Sequence, residues 1–133
     1  MNCAVRYYSR SGNTKALAEA IARGVGVTAL SADAPDSQIK EQTDVLFVGG
    51  ALYAYGLDKH LKAWIADLDA SKIGKAVVFS TSWLSRHSLD LIRKGLEEKG
   101  IQVVPETIYY KNMPSAQQLQ EAEKTAKKLA EKQ

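Results

Sequence analysis

The chain has 133 residues, 45% of them hydrophobic and 25% charged, which fits one domain over residues 1–133 with enough length to bury a core. Its net charge of +3 is mild and not gathered into the basic stripe of a nucleic-acid binder. No apolar run is long enough to span a bilayer, and the opening MNCAVRYYS lacks the apolar region of a secretory signal, so a cytoplasmic location is expected.

Strand-like runs are expected at Cys3–Tyr8, Val25–Leu30, Val45–Gly50, Ala76–Ser80 and Ile101–Tyr110. The third and fourth, DVLFVGG and KAVVFST, are apolar without alternation, as in strands covered on both faces. Helical patterns lie between them. Leu17, Ala18, Ile21, Ala22 and Val25 mark one apolar face, and Leu57, Leu61, Trp64, Ile65 and Leu68 a second. Leu89, Ile92 and Leu96 mark a third, and Leu119, Ala122, Ala126, Leu129 and Ala130 a narrow stripe on a last, polar helix. Ala34–Gln42 could hold a short, weak helix. Gly24, Gly26, Gly74 and Gly100 read as helix stops. The alternation of strand and helix predicts a three-layer α/β domain with a parallel sheet. The lone cysteine, Cys3, sits in an apolar run and excludes an internal disulfide.

In an open parallel sheet, ligands bind beyond the carboxyl ends of the strands. At the first such end stands YYSRSGNTKALA, Tyr7 to Ala18. A plain helix cap needs one small polar residue, supplied by Ser11 or Asn13, with nothing bound. This stretch has Ser9, Ser11, Asn13 and Thr14, with Gly12 to let the backbone curl inward. Together with the unpaired first amides of the helix, they make an anion pocket suited to a phosphate. The stretch is neither GxxxxGK[ST] nor GxGxxG.

The spacing Tyr7-x-Ser9-x-x-Gly12-x-Thr14-x-x-x-Ala18-x-x-Ile21 resembles the flavodoxin signature, although Arg6 stands where an apolar or aromatic residue is usual. Chain order and length are similar to those of the short-chain flavodoxins. The resemblance implies a flavodoxin-like fold, a five-stranded parallel sheet of order 2-1-3-4-5 with helices on both faces. It also implies FMN as cofactor, its phosphate held by Ser9, Arg10, Ser11, Gly12, Asn13 and Thr14. Arg10 would either pair with the phosphate or point to water. The ring would lie against a second loop, Ala51, Leu52, Tyr53, Ala54, Tyr55 and Gly56, and a third, Ser80, Thr81, Ser82 and Trp83. Tyr53 and Trp83 are the candidate walls, with Tyr55 as a rival to Tyr53. In flavodoxins a Gly-containing peptide of the second loop can flip on reduction, a role that would fall to Gly56.

The implied function is electron transfer between redox partner proteins through bound flavin. Flavodoxins are typically acidic. This chain is basic, which predicts a less negative potential for the second electron and partners with an acidic docking face. Arg10, Lys59 and Arg86 would lie near the rim of the site. GALYAYGLDKHLKAWI is also similar to a segment of the flavodoxin-like protoporphyrinogen oxidases, so an FMN-dependent reductase of a quinone or porphyrinogen-type substrate is the alternative. Those enzymes carry a long insertion that this chain lacks. A flavin-free signalling or structural domain is a third reading. His60 and His87 fall on first turns of helices, and no ligand spacing marks a metal site. No acid–base or nucleophilic constellation is visible.

Overall fold

The computed structural model describes residues 1–53, 56–81 and 86–132. Strands β1 (Cys3–Tyr8), β2 (Ala29–Ser31) and β3 (Thr43–Gly50) come first along the chain. Two short strands, β4 (Leu52–Tyr53) and β5 (Gly56–Leu57), pair only with each other, antiparallel. Strands β6 (Ile73–Ser80) and β7 (Val103–Tyr109) complete a five-stranded parallel sheet of order β2-β1-β3-β6-β7. Numbered among themselves, its strands run 2-1-3-4-5, the order the sequence implied.

The unalternating runs occupy the middle of that sheet. Val45, Leu46, Phe47 and Val48 of β3 and Ala76, Val77, Val78 and Phe79 of β6 are buried, because helices cover both faces. Helices α1 (Asn13–Val25) and α4 (Ala116–Glu131) pack on one face, around Val5, Tyr7, Leu17, Ile21, Phe47 and Phe79. Helices α2 (Lys59–Ala66) and α3 (His87–Glu98) pack on the other, around Leu46, Val48, Leu61, Trp64, Ile92 and Leu96. β1 divides its side chains between the two cores, Val5 and Tyr7 to one and Ala4 and Tyr8 to the other. The predicted apolar faces of the helices are therefore the buried ones, with Val25 and Leu119 only partly so.

Some expectations fail, each for a local reason. Helix α1 does not stop at Gly24 but runs on to Val25, and Gly26 ends it in the left-handed conformation, its N–H returning to Ala22. The run Val25–Leu30 is thus mostly helix end and turn, and the strand begins only at Ala29. Gly24 answers to α4. A Cβ there would stand 2.2 Å from the Glu123 carbonyl oxygen, so the two helices meet backbone to backbone. Gly74 lies inside β6 and does not end a helix.

Ala34–Gln42 is not helical. Turns form instead, with Ala34 N–H donating to Ser31 O and Ser37 N–H to Ala34 O. Side chains hold the segment in place. Ser37 Oγ donates to Ala32 O at 2.9 Å, and Arg6 Nε donates to Ser37 O at 2.5 Å. The sequence oddity at Arg6 thereby acquires a task, that of pinning a coil to the sheet. Burial pulls its guanidinium below the usual arginine range.

Candidate functional site

The carboxyl ends of β1, β3 and β6 lie side by side in the sheet, so the loops that follow them meet. The first loop turns at Gly12, whose φ of 91° is left-handed and which serves as the N-cap of α1. Ser9 Oγ accepts from Gly12 N–H at 3.0 Å, and Ser11 Oγ accepts from Asn13 N–H at 3.4 Å. No side chain caps α1, so neither Ser11 nor Asn13 acts as the plain cap that the sequence also allowed. Helices α2 and α4, by contrast, are capped by Asp58 and Ser115. A Cβ built on Gly12 meets nothing within 4 Å, so open space lies above the turn. This combination of first-turn amides, neutral hydroxyls and free volume suits an anion with several acceptor oxygens.

Thr14 is buried, and its hydroxyl bonds that of Thr81 at 2.7 Å, tying the start of α1 to the end of β6. Ser80, also buried, gives its hydroxyl hydrogen to Gly50 O at 2.7 Å. The 2.6 Å contact between Ser80 and buried Ser88 must then take its hydrogen from Ser88, since Ser80 has only one to give. Hydroxyl groups thus tie the ends of β3 and β6 to each other and to α3.

The second loop carries a small antiparallel pair, Leu52 opposite Leu57 and Tyr53 opposite Gly56. Gly56 has a φ of 98°. Ala51 precedes the hairpin. Ala54, Tyr55, Ser82 and Trp83, and the side chains of Leu52 and Tyr53, lie outside the described residues, so the two candidate walls are not part of this geometry.

Arg10 pairs with a carboxylate beyond the second loop, and its side chain stays 57% exposed. It donates to Asp58 Oδ2 from Nε at 3.1 Å and from Nη2 at 2.6 Å. The Asp58 side chain is only 3% exposed. Its other oxygen, Oδ1, accepts from the His60 backbone N–H at 2.7 Å and lies 2.8 Å from His60 Nδ1. The His60 ring stacks on Tyr8, with centroids 4.8 Å apart. Burial pushes the Asp58 carboxyl up, but the His60 amide, Arg10 and the His60 ring together hold it below the usual carboxylate range. Sequence reasoning missed Asp58. An Asp directly before a helical pattern is a cap signal, but nothing in sequence announces a partner 48 positions away.

Of the other expected rim charges, Lys59 and Arg86 are both exposed, and Arg86 reaches toward β7. Its Nη2 donates to Thr107 Oγ1 at 3.2 Å, and its guanidinium lies 4.7 Å from the centre of the Tyr109 ring. His60 and His87 stand in the first turns of α2 and α3 as expected. Among the described residues there is no metal-ligating cluster, and no helix is long and apolar enough to cross a membrane.

No family model and no curated protein matches the chain in sequence. Solved structures do match. A flavodoxin from the domain Archaea is 26% identical, covers 98% of this chain over 97% of its own, and superposes with a TM-score of 0.78. Oxidised Flavodoxin 1 from Bacillus cereus is 22% identical, with 95% of each chain covered and a TM-score of 0.76. The Flv1 flavodiiron core from Synechocystis sp. PCC6803 also matches, at 22% identity and a TM-score of 0.78, over 98% of this chain but 35% of its own. With the strand order β2-β1-β3-β6-β7, these comparisons show that the chain has the flavodoxin-like fold.

Proposed function

We propose that Ser9, Ser11, Gly12, Asn13 and Thr14 hold the phosphate of FMN and that the chain carries electrons between partner proteins. The observation that carries this reading is the N-terminus of α1, which no side chain caps and which opens onto free space at Gly12. First-turn amides and a positive helix dipole stabilise a phosphate there without a fixed cation. Arg10, engaged by Asp58, stands beside the turn as a structural member of the loop.

The flavin would supply the redox chemistry, and the protein binds and orients it. The proposed ring-binding residues are Ala51, Leu52, Tyr53, Ala54, Tyr55 and Gly56 in the second loop and Ser80, Thr81, Ser82 and Trp83 in the third. The left-handed Gly56 keeps a peptide next to the ring free of a Cβ.

The proposed redox partner presents an acidic face. Beside Gly56, a groove of about 530 Å³ runs between α2 and α3, floored by Leu57, Ile65 and Leu91. Lys62, Lys94 and Lys99 edge it against the single acid Glu98, a surplus of positive charge that suits carboxylates on a partner. The visible absorption spectrum of freshly purified protein tests the cofactor. Flavin bands that persist through gel filtration support it. Colourless protein that gains none on addition of FMN overturns it.

A further inference from the structure

Asp58 divides its carboxylate between two of the strand-end loops. Among the described residues, Oδ2 serves the first loop, accepting two hydrogen bonds from Arg10. Oδ1 serves α2, accepting from the His60 amide and meeting the His60 ring nitrogen. The carboxylate is buried while Arg10 and His60 stay partly exposed, so loss of either partner leaves a buried charge short of a bond. Arg10 sits between Ser9 and Ser11, whose hydroxyls set the turn at Gly12 and Asn13. Asp58 follows Gly56 and Leu57 directly, and these two form the returning strand of the second-loop hairpin. The Tyr8–His60 stack closes the same joint from below, since Tyr8 is the last residue of β1. A shift of the first loop that moves Arg10 must therefore rotate the carboxylate or drag the start of α2. Either movement reaches the hairpin strand that ends at Leu57, the residue before Asp58.

We propose that Asp58 is a positioning residue that couples the two loops: a phosphate group seated at Ser9–Thr14 sets, through Arg10 and Asp58, the conformation of Gly56–Leu57. This rests on the phosphate reading of the first loop. It adds that the second loop responds to the phosphate alone, with no ring present.

The test is a titration of the isotope-labelled, flavin-free protein with inorganic phosphate, followed by the amide resonances. In the unaltered chain, the amides of Gly12, Asn13 and Thr14 shift, and those of Gly56 and Leu57 shift along the same binding curve. Asp58→Asn keeps an oxygen for the His60 amide, so the cap of α2 survives. It turns an amide or a neutral oxygen toward Arg10, and the Gly56 and Leu57 response is lost while that of Gly12–Thr14 remains. Arg10→Gln leaves the cap untouched and loses the same response, which a merely structural Asp58 would not explain. Shifts confined to Ser9–Thr14 in the unaltered chain overturn the coupling and leave the phosphate reading standing. So does a Gly56 response that survives in both variants. No shift anywhere in Ser9–Thr14 overturns both.

Discussion

Thr14 and Thr81 lie 67 positions apart and share a hydrogen bond of 2.7 Å between buried hydroxyls. One stands in the first turn of α1, the other just past the end of β6, so the bond fixes where the first and third loops meet. Thr14→Val keeps the shape and leaves the Thr81 hydroxyl unpaired in the interior. A loss of about 1–3 kcal/mol is expected from urea unfolding, with Thr14→Ser close to the original. Equal stability of the Val and Ser variants would contradict this account of the bond.

Gly24 inverts the ordinary rule for helices. Alanine in an exposed helix interior is better than glycine by about 1 kcal/mol. At Gly24 the added Cβ would meet the Glu123 carbonyl oxygen at 2.2 Å, with backbone on both sides and no side chain to swing away. Gly24→Ala must push α1 and α4 apart, and a destabilisation of about 1–3 kcal/mol or more is expected. A raised melting temperature would show that the helices do not touch there.

The Asp58 carboxyl gives the acid limb of stability a definite sign. Its folded value lies below its ordinary value of 3.8, because bonds from the His60 amide, Arg10 and the His60 ring outweigh the upward push of burial. A carboxyl depressed on folding stabilises the fold fully above its unfolded value, and the contribution is lost as pH falls through the folded one. Asp58→Asn should therefore be less stable than the unaltered chain by a constant amount above about pH 5, with the gap narrowing as pH falls below about 4. Urea midpoints measured across this range check it. A gap that widens in acid would reverse the assignment.

Cys3 is partly buried, and burial pushes its thiol above the ordinary value, ahead of smaller opposing effects from neighbouring charges. Near neutral pH, its reaction with a thiol reagent should run at least about tenfold slower than that of free cysteine and recover in urea. Rapid reaction of the folded chain would mark Cys3 as activated.

The fold was legible because the short, β-branched, unalternating runs at Val45–Gly50 and Ala76–Ser80 read as strands covered on both faces, with plain helical faces between them. The errors lie where tertiary contacts overrule a local pattern. Val25 and Val27 look like strand, yet Val25 is the last residue of α1 and Val27 lies in the turn after the left-handed Gly26. Ala34–Gln42 looks weakly helical, but Arg6 and Gln38 tie it down as coil, to Ser37 O within the segment and to Trp64 O on α2. The turn at Ser9–Thr14 was visible as a cluster of small polar residues. The engagement of Arg10 by Asp58 was not, since an ion pair across 48 positions leaves no periodic trace. It also matches the Arg10 charge with a buried carboxylate.

The most direct test of the central claim, that Ser9–Thr14 holds the phosphate of a flavin nucleotide, is a titration of flavin-free protein with FMN and with riboflavin. The two ligands share the ring and differ in the phosphate. The account predicts that FMN binds about a hundredfold or more tightly than riboflavin, a gap that a phosphate held by several amide and hydroxyl donors supplies. Equal affinity for the two, or binding of neither, would contradict it.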